Sequence, residues 1–270
     1  MTVVSAFLVP GSPLHLLRPD NPPWKPIVTG FERAARAIAT SRPDVVLLYS
    51  TQWMAVLDAL WQVRPVLKGD HVDENWHEYG EMPFDLRVDV DLANACVEAT
   101  RAAGITAKGV DYDQFPVDSG TIVATRLLNL DNRFPLVMAA NNLYHDAATT
   151  ARMAEIAVAA ARAQNKKVAV VGVGGLSGTL FRDDIDIAQD HVASETDENW
   201  NQRILRLLEK GESAQVDAVL EDYAREARVD MGFKHFAWIK GAIGGRFFGA
   251  RVHGYGPAYG AGAAVVEFRL

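Results

Sequence analysis

The chain has 270 residues, 49% of them hydrophobic and 23% charged, which is typical of a globular protein with a substantial core. The net charge of -7 at pH 7 argues against a nucleic-acid surface, because such surfaces are basic. A lone cysteine, Cys96, excludes an intramolecular disulfide framework and cysteine-rich zinc ligation. We therefore expect a cytoplasmic protein, folded as one domain over residues 1–270.

The first fifty residues predict a parallel pair of strands. Residues 1–10 form an apolar run that is too short for a signal peptide or a membrane span, so they predict a strand. Apolar residues recur at helical spacing from Ile27 to Ile38, Pro43 ends that helix, and residues 45–49 form a second buried strand. Strand, crossover helix and strand make a βαβ unit, so the two strands should run parallel.

Residues 64–83 lose this pattern and are predicted to be a long loop. Its central part, residues 71–79, contains two histidines, three acids and two aromatic residues. Long loops of mixed composition are often functional. The segment is either a metal or substrate loop or a surface flap, because no ligand spacing is recognisable.

The remainder of the chain alternates predicted helices and strands. Helices are predicted at residues 86–103, 118–128, 153–161, 200–208, 216–223 and 232–243, and strands at 105–110, 135–140, 247–252 and 263–269, with a glycine- and tyrosine-rich loop at 254–262. The pattern predicts an α/β fold with a central, mostly parallel sheet flanked by helices and a C-terminal pair of strands.

Residues 167–178 form a valine-rich run that ends in glycines. Its length and valine content predict a strand buried on both faces, followed by a sharp turn at the edge of the sheet where ligands bind. A dinucleotide loop fits poorly because Ser177, not glycine, holds the sixth place of the motif. A nucleophile elbow fits poorly because Thr179 replaces its second glycine. A simple tight turn remains open.

Four predicted element ends carry short motifs that can be compared together: Val9-Pro10-Gly11-Ser12-Pro13, Ser50-Thr51-Gln52-Trp53, Gly174-Gly175-Leu176-Ser177-Gly178 and Lys234-His235-Phe236-Ala237-Trp238. The chain resembles the type III extradiol dioxygenases, the protocatechuate 4,5-dioxygenase superfamily of ring-cleaving iron enzymes. Catalytic members carry a His two places before Pro, a Thr-His-Trp-like turn, a Gly-Gly-Leu-Ser-His turn and a helical Glu four residues before a Trp. The resemblance covers nearly the whole chain.

The resemblance implies that the reactive residue of each motif is missing here. Family iron is held by two His and one carboxylate. Gly11 and Gln52 stand where the family has the two His ligands, and Lys234 stands where it has the carboxylate. Gly178 replaces the proposed acid-base His and cannot move a proton. We therefore predict no catalytic, cofactor-binding or metal-binding residue in this chain.

The resemblance is strongest to non-catalytic subunits of members that cleave aminophenols. It implies a hetero-oligomer, α2β2, in which a homologous β subunit carries Fe(II). That subunit would open 2-aminophenol or a chloro-substituted aminophenol with O2 to give a 2-aminomuconic semialdehyde. This chain would stabilise or shape the complex. No nucleic-acid or membrane partner is expected.

Several alternatives remain open from the sequence. The chain could be a self-sufficient metalloenzyme with a remodelled site drawn from these residues: His15, His71, His77, Glu78 and His145. It could also bind a small molecule in the emptied cleft. The Lys234 ammonium either replaces the missing ion near the metal position or reaches solvent. Four tryptophans are candidates for either an interface or the core: Trp24, Trp53, Trp61 and Trp76.

Overall fold

The computed structural model describes residues 2–178 and 184–270. Within these residues, eight strands form one sheet and two form a separate hairpin. The strands are β1 Val3–Val9, β2 Val45–Ala55, β3 Ala59–Gln62, β4 Val66–His71, β5 Met82–Arg87, β6 Ala107–Val110, β7 Leu136–Asn142, β8 Val168–Val173, β9 Ala250–Ala258 and β10 Ala261–Phe268. The α-helices are α1 Leu14–Leu17, α2 Lys25–Ser41, α3 Val90–Ala102, α4 Ser119–Leu128, α5 Ala147–Ala163, α6 Glu195–Lys210, α7 Ser213–Glu226 and α8 Lys234–Ala242.

The sheet has the strand order β6-β3-β7-β2-β8-β1-β10-β9. Strand β8 lies between β1 and β2, runs parallel to both, and is buried at every residue from Val168 to Val173. The predicted parallel arrangement is therefore confirmed. The C-terminal strands β9 and β10 pair antiparallel with each other, and β10 pairs antiparallel with β1. The predicted fold class is confirmed, including the C-terminal pair.

Three local predictions are wrong, and one strand was missed. The predicted loop at residues 64–83 contains the antiparallel strands β4 and β5. Much of each strand is exposed and carries charged residues, so neither forms a continuous apolar run in the sequence. Strand β3 was not predicted. The predicted loop at 254–262 is mostly strand: Gly254 and Gly256 pack closely beside Ile27 of α2, and only residues 259 and 260 turn. Helix α3 begins at Val90, not at residue 86, where Asp89 caps it.

The helices cover both faces of the sheet, and none in the described ranges is long and apolar enough to cross a membrane. Helices α5 and α8 cross most closely at Gly241. A Cβ atom there would lie 2.1 Å from the Ala151 carbonyl oxygen, so only glycine permits this approach.

We expect Gly241→Ala to lower the free energy of unfolding by about 2–3 kcal/mol in urea titration, although alanine favours helix more than glycine does. The reason is the backbone of Ala151, which cannot move aside like a flexible side chain. Gly175→Ala is the matched control, because its Cβ would meet no atom of the described residues closer than 3.7 Å. Equal effects of the two substitutions would contradict this packing.

Candidate functional site

A cleft of about 950 Å³ opens at the carboxyl ends of the parallel strands. It lies beyond β1 and β2, and the β4–β5 hairpin forms one wall. Its polar lining is dominated by acids: Asp73, Glu74, Glu78, Asp118, Asp184 and Asp230. Among the described residues, its aromatic lining consists of Trp76, Tyr79 and Tyr259. This is the edge where α/β proteins bind ligands, so the cleft is the candidate functional site.

Gly11 and Gln52 are the residues that the motif resemblance matches to two family ligands; Gly11 follows β1, and Gln52 lies near the carboxyl end of β2. The Gln52 side-chain amide lies against Gly11 and donates to its carbonyl oxygen at 3.2 Å. A Cβ on Gly11 would lie 2.9 Å from Gly120 Cα and 3.0 Å from Gln52 Nε2. The space that a histidine would need at position 11 is therefore filled.

Lys234 begins α8 and is the residue that the motif resemblance matches to the family's carboxylate ligand. Its ammonium donates to the Asn142 carbonyl oxygen at 2.9 Å, and the Asn141 side-chain oxygen lies at 3.4 Å. The side chain is half-buried rather than free in bulk water. Burial lowers the pKa of Lys234, and the nearby Asp146 carboxylate acts in the opposite direction. The ammonium thus holds the end of β7 by hydrogen bonds.

The Asn141 amide connects Lys234 to the rest of the strand ends. Its oxygen also accepts from the Tyr49 hydroxyl at 2.8 Å, and its nitrogen donates to the Thr51 carbonyl at 3.0 Å. The Thr51 hydroxyl in turn donates to Asp230 at 2.6 Å. A continuous polar network therefore joins β2, β7 and α8 beside the cleft.

Asp230 is a site residue that sequence reasoning missed. Its carboxylate also accepts from the Gly175 backbone N–H at 3.1 Å, and burial raises its pKa. It precedes two residues with left-handed backbone, Met231 at φ 45° and Phe233 at φ 64°. Such strained backbone persists only where surrounding contacts enforce it. An acid four places before Lys234 was the only signal in the sequence.

Ser177 and Gly178 form a structural turn. The Ser177 hydroxyl accepts from Asn201 Nδ2 and from the Gly262 N–H, both at 2.9 Å, so it ties the turn to α6 and β10. Gly178 donates its backbone N–H to the Ala227 carbonyl at 3.2 Å. Of the three readings of this stretch, the tight turn describes it best. Thr179, which interrupts the elbow motif, lies outside the described residues.

His71 anchors the predicted functional loop to helix α4. The Ser119 hydroxyl donates to Asp73 at 2.6 Å, and His71 Nε2 lies 2.9 Å from the same hydroxyl. Because the single Ser119 proton goes to Asp73, the His71 nitrogen must be the donor. The imidazole therefore does not act as a base toward Ser119, and this trio fastens the hairpin over the cleft.

The other candidate ligands do not converge on the cleft. His15 is buried, and its Nε2 lies 3.4 Å from the Pro257 carbonyl oxygen. His77 is exposed beside Glu78. His145 is partly buried near Lys234, and burial lowers its pKa. Of the five candidates, only His71 and Glu78 line the cleft.

Three of the four tryptophans that were candidates for an interface or the core belong to the interior. Trp24 and Trp61 are fully buried, and Trp53 is 9% exposed. Trp24 donates to the Asp190 carboxylate at 2.7 Å. Trp76 differs, because it is partly exposed and stacks on Tyr79 in the cleft wall. Of the two alternatives that the sequence left open, core packing is therefore confirmed for these three residues.

His235 is buried beside the site. Its ring packs on Gly174, where a Cβ would lie 2.5 Å from Nδ1, and in the part of the chain that the structure describes neither ring nitrogen has a hydrogen-bond partner. Burial lowers the pKa of His235 from 6.5 to about 3. Burial likewise lowers the pKa of His15 to about 4.

We expect stability to fall with pH below 6.5, the ordinary histidine pKa. The unfolded chain binds a proton at each of these histidines as pH drops below that value, whereas the folded chain excludes it until pH is near 3 or 4. The free energy of unfolding should therefore fall by about 2 kcal/mol per histidine near pH 5. Urea unfolding of His235→Leu should show a shallower pH dependence, and that of exposed His77→Gln an unchanged one. Identical pH slopes for all three proteins would contradict this account.

The residues at the family's ligand positions do not fit an iron ion. Gly11 offers no side-chain ligand atom, the Gln52 amide nitrogen donates to the Gly11 carbonyl, and Lys234 brings a positive charge. A cation at the carboxylate position opposes a divalent metal. Elsewhere in residues 2–178 and 184–270, no group of three or more His, Cys, Asp or Glu residues is placed to hold a metal ion.

Comparison with known proteins places the chain in a family. A family model described as the catalytic LigB subunit of aromatic ring-opening dioxygenase matches residues 6–268. The chain is 52% identical to a 2-aminophenol 1,6-dioxygenase alpha subunit from Pseudomonas sp., over the full length of both chains. It is 26% identical to the beta subunit, covering 99% of this chain and 94% of that one. The uncharacterized protein JW3007 from Escherichia coli K12 shares the fold, with a TM-score of 0.71 and 15% identity over 98% of this chain and 99% of that one. The chain belongs to the LigB family of the type III extradiol dioxygenases, as the sequence motifs predicted.

Proposed function

We propose that this chain is the non-catalytic alpha subunit of a cytoplasmic hetero-oligomeric dioxygenase, with residues 1–270 acting as one domain. The complex, α2β2, opens the ring of 2-aminophenol or a chloro-substituted aminophenol with O2 to give a 2-aminomuconic semialdehyde. Fe(II) and catalysis reside in the homologous beta subunit. The present chain stabilises or shapes that subunit.

The Lys234 ammonium is the observation that supports this proposal most directly. It stands at the carboxylate position and is engaged by the carbonyl of Asn142. The filled space at Gly11 adds a second, independent obstacle to metal binding. The 52% identity to a named alpha subunit, over the full length of both chains, supports the proposal that this chain associates with a beta subunit. A beta subunit of the same dioxygenase is itself 26% identical to this chain. A preserved fold with an obstructed ligand set is what a supporting subunit requires.

Purification with and without a 2-aminophenol 1,6-dioxygenase beta subunit tests the proposal. We expect the isolated chain to contain no stoichiometric iron and to cleave no 2-aminophenol after Fe(II) is added under anaerobic conditions. The co-expressed complex should contain about one iron per beta subunit and should cleave the ring. Turnover by the isolated chain would overturn the non-catalytic role. Unchanged solubility and activity of the beta subunit alone would overturn the supporting role.

A second candidate function is ligand binding in the cleft. Trp76 stacks on Tyr79 and meets Tyr259 edge to face, with ring centroids 4.6 Å apart in the latter pair. Such a wall can hold a flat aromatic molecule without a metal. Aminophenols should then raise the thermal midpoint of the chain, and Trp76→Ala should abolish the shift. No shift with the unaltered chain would remove this candidate.

A further inference from the structure

A groove lined by arginines lies at the opposite edge of the sheet from the cleft. It runs beside the start of β1, the second half of α2 and the outer ends of β9 and β10, and has a volume of about 820 Å³. Four arginines line it: Arg33, Arg36, Arg251 and Arg269. We call this surface the arginine groove.

The charge of the arginine groove is opposite to that of the chain as a whole. The chain has 34 acidic and 27 basic side chains, whereas the groove has four arginines and one acid, Glu267. That acid is already paired, because its carboxylate lies 2.8 Å from His253 Nε2. The groove therefore presents a concentrated positive field on an acidic protein.

The guanidinium groups of the groove are available to a ligand. All four arginines are exposed. Arg33 donates to the His253 carbonyl at 3.1 Å, and Arg269 donates to the Glu209 carbonyl at 3.0 Å. Each of these guanidinium groups has further N–H groups that can donate to a ligand. Among the residues that the structure describes, neither Arg36 nor Arg251 has a hydrogen-bond or ion-pair partner for its guanidinium group. Guanidinium forks are suited to carboxylates.

The floor of the groove favours a polypeptide over a small anion. Apolar side chains line it between the arginines, among them Val4, Ala37 and Phe268. A small anion would pair with the arginines and leave this floor wet, whereas an acidic segment with apolar side chains would cover both. The lining comes from α2 and from the ends of three strands, so one bound chain segment could contact all of these elements.

We propose that the arginine groove docks an acidic, partly apolar segment of the beta subunit. This inference rests on the proposed function, because it assigns the surface through which the two subunits associate. Charge complementarity here would speed and orient association, and would make it weaken with salt. The emptied cleft would then remain free on the other edge of the sheet.

The test compares the association of two charge-reversed proteins with the beta subunit. Arg36→Glu with Arg251→Glu should raise the dissociation constant about tenfold or more and should make it depend less on salt concentration. Arg162→Glu with Arg206→Glu is the matched control, since it makes the same change in net charge at exposed arginines outside the groove. Circular dichroism and the thermal midpoint confirm that each variant is folded.

The possible failures are distinguishable. If the unaltered chain does not bind the beta subunit, the proposed function fails and the inference falls with it. If the unaltered chain binds and the groove variant binds equally well, the inference alone fails. If inorganic phosphate stabilises the unaltered chain but not the groove variant, while beta-subunit binding is equal, the groove is a small-anion site and the inference is overturned.

Discussion

Lys234→Glu, which restores the family's carboxylate, should lower the free energy of unfolding by about 2–3 kcal/mol and should not create a metal site. The ammonium now donates to the Asn142 carbonyl, with the Asn141 side-chain oxygen at 3.4 Å and the Leu143 carbonyl at 3.5 Å. A carboxylate would face the same oxygen atoms without any hydrogen-bond donor. Loss of a charge-assisted hydrogen bond and new repulsion therefore add together.

Urea unfolding with and without Fe(II) measures both parts of this prediction. Lys234→Met separates them, because it removes the donor without adding negative charge and should cost less than the glutamate. Lys25→Glu is the surface control, since Lys25 is exposed, and should change stability by less than about 0.5 kcal/mol. A glutamate variant that gains stability with stoichiometric iron would show that the remaining ligand positions still suffice.

The sheet was predictable from sequence because its central strands are continuous apolar runs. Residues 168–173 are buried on both faces, and such strands leave a clear signal. The β4–β5 hairpin was not predictable in the same way, because Lys68 and Asp85 pair on its exposed face and break the apolar pattern. Strand β3 is only four residues long, which is too short for periodicity to register.

The candidate site was predictable only where a motif framework survived. The positions of Gly11, Gln52 and Lys234 followed from neighbouring family residues, but what each now contacts did not. Asp230 has no motif, and its bonds to Thr51 and Gly175 join residues 179 and 55 positions apart in sequence. Such long-range polar contacts depend on the packed fold, so a single sequence does not reveal them.

Gly11→His, which restores the first family ligand, should lower the free energy of unfolding by about 2–3 kcal/mol in urea titration. The obstacle is the Cβ atom itself, which would lie 2.9 Å from the Gly120 Cα at the start of α4 and 3.1 Å from Val173 Cγ1. Gly11→Ala should therefore carry most of the same cost. Backbone at Gly120 cannot yield without moving the helix that Asp118 caps.

Gly178→His is the matched control at the same edge of the sheet. It restores the family's acid-base residue type, and among the residues that the structure describes the nearest neighbour of a Cβ there would be the Arg228 carbonyl oxygen, at 3.3 Å. That contact is tight but relievable by a small shift, so the cost should stay below about 1 kcal/mol. Comparable losses at positions 11 and 178 would mean that the cleft edge is uniformly intolerant of side chains. A stable Gly11→His protein would instead mean that α4 moves to make room for the side chain. Metal binding would then be opposed only by the chemical nature of the residues and not by a lack of space at position 11.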